Sequence, residues 1–119
     1  MSFIAILLFV FMIPVQSADQ VKNPVPPTAE SAASGAKLYG RYCAACHGKE
    51  GNGDGLAGAK LDPKPSNLTD EDWKHGAGDA DIFAVIHNGV KDTGMKAFGS
   101  RMTEHELWDL VNYIRTLKR

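Results

Sequence analysis

The chain has only two cysteines, and they stand three positions apart at Cys43 and Cys46. A disulfide closed over so short a loop constrains the unfolded chain little, so a disulfide-stapled scaffold is excluded and a chemical use for the pair is favoured. Net charge is nearly absent too: 13 basic against 14 acidic residues leave −1, with the Lys and Arg scattered rather than clustered with aromatics. Nucleic acid is therefore not an expected partner. No alternating apolar run reads as a strand. Glycine is plentiful in Gly51-Asn52-Gly53-Asp54-Gly55, but no Gly-Lys-Ser/Thr ending follows, so this is a connecting loop and not a phosphate cradle.

Long hydrophobic runs are scarce. The one present, Phe3 to Val15, falls short of the roughly 20 residues that span a bilayer, and small residues follow it. It reads as a secretory signal over 1–17, cut after Ser17 or Ala18, although no Lys or Arg precedes it; retention as an anchor is the alternative. Residues 18–33 carry three prolines and few large apolar groups, and are expected to form a Pro-rich linker. The folded domain is expected over 34–119. A domain so short buries little apolar surface, a deficit that a bound apolar cofactor would offset.

Three helices are expected. The first starts at Ser34 as N-cap and runs to about Cys46, with Gly35, Tyr39, Cys43 and Cys46 on one side. The second lies between Asp79 as N-cap and Gly89, with Ile82, Phe83 and Ile86 facing inward. The third opens on Thr103-Glu104-His105-Glu106, a capping box, and continues through Leu107, Leu110, Val111, Ile114 and Leu117. The class is all-α, with three main helices and long loops.

Cys43-Ala44-Ala45-Cys46-His47 has the Cys-x-x-Cys-His form of a c-type haem attachment site. Two thiols one helical turn apart can each add to one haem vinyl group, and the adjacent imidazole then reaches the iron. A thioredoxin-like dithiol would need βαβ surroundings, and a zinc site would need a second ligand pair.

From Gly35 to its end the chain resembles the class I mono-haem cytochromes c. That family sets a glycine and an aromatic residue before the Cys pair, here Gly35 and Tyr39, against a Leu and an aromatic residue of the last helix, here Leu110 and Tyr113. The resemblance implies that the first and last helices cross at Gly35, in a cytochrome c fold wrapped around one covalent haem c. It also implies that Gly94-Met95-Lys96-Ala97-Phe98-Gly99 is the distal loop, with Met95 as sixth ligand to the iron; the family's usual Pro after that Met is Lys96 here. A proline carbonyl is expected to hold the other ring nitrogen of His47, and Pro63 is preferred to Pro65.

Met102 is a rival to Met95, but it stands at N′ of the third helix with Leu107 at N4, where a hydrophobic staple explains it. His75 is the strongest histidine rival, since His87 and His105 fall at helix ends where solvated histidine is ordinary.

The expected function is one-electron transfer in the periplasm by His/Met-ligated haem, with His47 and Met95 on the metal and no catalysis by the chain itself. The partners this implies are a quinol-oxidising complex and a terminal oxidase or reductase, with membrane contact only if the N-terminal segment is retained. A haem subunit of a redox enzyme and a gas-binding haem sensor are the alternatives.

Overall fold

The computed structural model describes residues 22–119; the expected signal segment 1–17 lies outside them. The described residues are all-α, with no strand among them. The helices are α1 (Ala29–Tyr42), α2 (Ala44–His47), α3 (Asp79–Asn88) and α4 (Glu104–Arg115), with one 3-10 turn at Leu56–Gly58. No helix among these residues is long and apolar enough to cross a membrane.

Helix α1 is capped six residues before the expected Ser34. Thr28 is its N-cap, its hydroxyl accepting the Ser31 amide at 3.1 Å. The earlier start has a packing reason: Ser31 is buried and donates its hydroxyl to the Asp109 carboxylate of α4 at 2.5 Å. The Asn112 side chain, buried on α4, donates to the Val25 carbonyl at 3.1 Å and accepts from Asn23 at 2.7 Å. The span read as a linker is thus seated on α4 from Asn23 onward. Buried polar groups without partners would be costly here, and among the described residues no buried side-chain nitrogen or oxygen lacks one.

At its other end α1 breaks at Cys43 instead of running on to Cys46. Cys43 carries φ −117°, ψ −38°, and α2 follows as a separate turn in which the His47 amide bonds the Cys43 carbonyl at 2.9 Å.

Helices α1 and α4 cross where Gly35 meets the Asp109 backbone; a Cβ there would lie 2.7 Å from Tyr113 Cβ and against the Asp109 carbonyl oxygen. One turn further, the Tyr39 and Tyr113 rings meet tilted at 55°, with centroids 5.1 Å apart. Leu110 is fully buried at this crossing. Helix α3 closes the third side, its Phe83 stacked on Trp108 at 4.2 Å, with Ile82 and Ile86 buried as expected. Its N-cap is Gly78, one residue before the expected Asp79, and Asp81 accepts the Gly78 amide at 3.1 Å. Helix α4 carries the full capping box: the Thr103 amide donates to the Glu106 carboxylate at 2.8 Å, and the Thr103 hydroxyl accepts the Glu106 amide at 3.2 Å.

Candidate functional site

Between these helices and the loops 61–76 and 90–96 lies a cavity of about 280 Å³, lined by Cys43, Cys46, His47, Pro63 and Met95. Every candidate site residue therefore faces one space. Its walls are largely apolar, with Leu68, Ile82, Ile86 and Phe98 from the core and Trp73 at the loop side.

The cysteine turn is tied to its surroundings by hydrogen bonds. Tyr39 donates its hydroxyl to the Gly48 carbonyl at 2.7 Å, and burial raises that phenol far above its ordinary range, so it stays a donor. The loop after the turn folds back on it, with the Gly53 amide on the His47 carbonyl at 2.7 Å and the Gly55 amide on the Cys46 carbonyl at 3.0 Å.

Burial, with Cys46 alongside, pushes the free Cys43 thiol up to about 11. A dithiol of the thioredoxin kind sits in βαβ surroundings, and no strand among the described residues supplies them. Among the described residues, no group of three or more His, Cys, Asp or Glu side chains converges to hold a metal ion, so a zinc site has no ligand set either.

His47 Nδ1 lies 2.9 Å from the Ser66 carbonyl oxygen. A carbonyl only accepts, so Nδ1 carries the proton and Nε2 keeps its lone pair free for a metal. This corrects the expectation for Pro63: that residue lines the cavity, but the carbonyl that orients His47 is that of Ser66. A main-chain oxygen has no side-chain signature, so nothing in the sequence marked it.

Met95 is half-buried in the cavity wall. Met102 is buried in the same core cluster as Leu107 and does not line the cavity. His87 stacks on Phe83 at 5.8 Å, and His105, with its side chain 71% exposed, pairs with Asp109; neither lines the cavity. His75 does line it, from an exposed position beside Trp73. The donor set on this space, two thiols, an oriented imidazole and a thioether within apolar walls, fits a covalently held haem.

Comparison with known proteins agrees with that chemistry. Residues 30–114 match the family described as cytochrome c oxidase, cbb3-type, subunit III. The chain is 34% identical over 103 residues to a cbb3-type cytochrome c oxidase subunit FixP of Azorhizobium caulinodans, covering 84% of this chain and 33% of that protein. It is 29% identical over 117 residues to a CcoP subunit of Azospirillum sp., covering 88% of this chain and 37% of the other. The chain thus spans about a third of the length of these curated relatives. Among solved structures it is similar to a chain of the Kuenenia stuttgartiensis reducing HAO-like protein complex, with TM-score 0.75, 28% identity and coverage of 92% of this chain and 53% of that one. Cytochrome cL from Hyphomicrobium denitrificans superposes with TM-score 0.63 and 25% identity, over 80% of this chain and 54% of that one. With the cysteine turn, the glycine crossing and these matches in agreement, the chain belongs to the cytochrome c family, within the group whose model is cbb3-type oxidase subunit III.

Proposed function

We propose that this chain is a haem c electron-transfer domain serving a terminal oxidase as a subunit, with Cys43 and Cys46 as the two thioether attachments of a single haem. One observation carries the reading: both thiols, an imidazole with Nε2 left free, and the Met95 thioether line one apolar cavity. When bound, the haem would supply a one-electron couple, with His47 and Met95 as the residues that would hold its iron. The chain's own residues do the rest. His47 would be the proximal ligand, and the Ser66 carbonyl, 2.9 Å from its Nδ1, would fix its tautomer and ring plane and raise its basicity. Met95 would be the sixth ligand, a soft sulfur that favours the ferrous state. The apolar walls exclude water and so limit the rearrangement that accompanies a change of charge.

No bond chemistry is assigned to the chain, and the domain is read as exported to the periplasm, on the strength of the N-terminal apolar run. The names of the curated relatives favour the subunit reading over the freestanding carrier expected from the sequence. Affinity-tagged chain purified from its host in mild detergent separates the two. Co-elution with oxygen-reducing activity is expected; recovery of the chain alone in the periplasmic fraction, with oxygen consumption unchanged in its absence, would restore the freestanding carrier.

A further inference from the structure

The loop that presents Met95 leaves α3 at Gly89 and returns to the core at Phe98. Several backbone bonds close it: the Val90 amide on the Met95 carbonyl at 3.1 Å, the Phe98 amide on the Ile86 carbonyl at 2.9 Å and the Gly99 amide on the His87 carbonyl at 3.0 Å. Gly89 has φ +67°, and a Cβ there would come within 2.8 Å of both the Met95 carbonyl oxygen and the Ala97 amide nitrogen. The turn within the loop is tight, since Asp92 takes a left-handed φ of 61°. One side chain ties this turn together. The Thr93 hydroxyl donates to the Val90 carbonyl at 2.8 Å and accepts the Met95 amide at 3.1 Å. It thereby joins the start of the turn to the backbone of Met95 itself, while Thr93 also lines the cavity.

Lys96 follows Met95, so no proline ring restrains the backbone at that point. We infer that Thr93 is the positioning residue for the Met95 thioether, holding by two hydrogen bonds a loop that has no proline stiffening after its methionine. The inference rests on Met95 being the sixth ligand. Losing one hydroxyl that serves as both donor and acceptor should raise the population of loops with Met95 displaced by on the order of tenfold.

The test uses the haem-loaded chain carrying Thr93→Val, Thr93→Ala or Thr93→Ser, with Met95→Ala as reference. Thr93→Val and Thr93→Ala are expected to weaken the thioether-to-ferric charge-transfer band, lower the reduction potential and speed carbon monoxide binding to the ferrous state. Thr93→Ser, which keeps the hydroxyl, is expected to restore all three. Wild-type behaviour of both Thr93→Val and Thr93→Ala would overturn the inference, and so would equal losses in Thr93→Ser, which would make the methyl group the cause. Failure of both hydroxyl-free variants to retain helical circular dichroism would also overturn it, by making Thr93 a folding residue. If instead Met95→Ala leaves the band unchanged, the ligand assignment itself has failed, a result distinct from all of these.

Discussion

Two methionines close together in sequence have different surroundings, and that difference gives the sharpest test of side-chain roles. Met95 sits half-buried in the cavity wall, whereas Met102 is 7% exposed within the core. Met95→Ala is expected to open the sixth position, lower the potential and allow rapid carbon monoxide binding, with little change in the melting curve. Met102→Ala should leave the spectrum alone and cost about 2 kcal/mol of stability in a denaturation experiment, through the lost apolar volume. A spectral change confined to Met102→Ala would move the ligand. The Cys-x-x-Cys-His turn was legible in the sequence because its chemistry and spacing are local. The Ser66 carbonyl was not legible, because the resemblance pointed to a proline and a backbone oxygen has no letter of its own. His75 keeps its place at the cavity, so His75→Ala, with an unchanged spectrum expected, completes the set.

Among the helices, the boundaries followed how local their signals were. The capping box at Thr103 and Glu106 is complete within four residues and stands as the sequence reads. The start of α1 was missed because Ser34 is as good a cap as Thr28 by residue type; what selects Thr28 is the burial of Ser31 against Asp109 and Asn112, partners about 80 positions away. The crossing of α1 and α4 was legible only through the family pattern of Gly35 and Tyr39.

A pair of substitutions in α1 tests that crossing. Gly35→Ala would place a methyl group on the Asp109 backbone and is expected to destabilise the fold by about 1–3 kcal/mol. Gly40→Ala, with nothing within 4 Å of its added carbon, is expected to stabilise it by about 0.5–1 kcal/mol, the ordinary gain of alanine over glycine in a helix. Thermal melts of the two variants should move in opposite directions; a shared direction would contradict the packing described for Gly35.

Taken as one body, the domain gathers its core around the cavity. Leu68, Ile82, Ile86 and Phe98 belong to the buried cluster and also line that space. A core whose buried residues also line a cofactor cavity is expected to gain cohesion from the bound group. The double variant Cys43→Ala, Cys46→Ala is accordingly expected to melt at a lower temperature and over a broader range than the wild type, as followed by circular dichroism. An unchanged transition would mean that the helices hold without the attached ring. The premise beneath all of this is covalent attachment at Cys43 and Cys46. It is tested by the intact mass of the denatured chain, produced in a cell able to mature c-type cytochromes. A mass raised by one haem, persisting through acid-acetone extraction, is the expected result; the mass of the bare polypeptide would contradict the account.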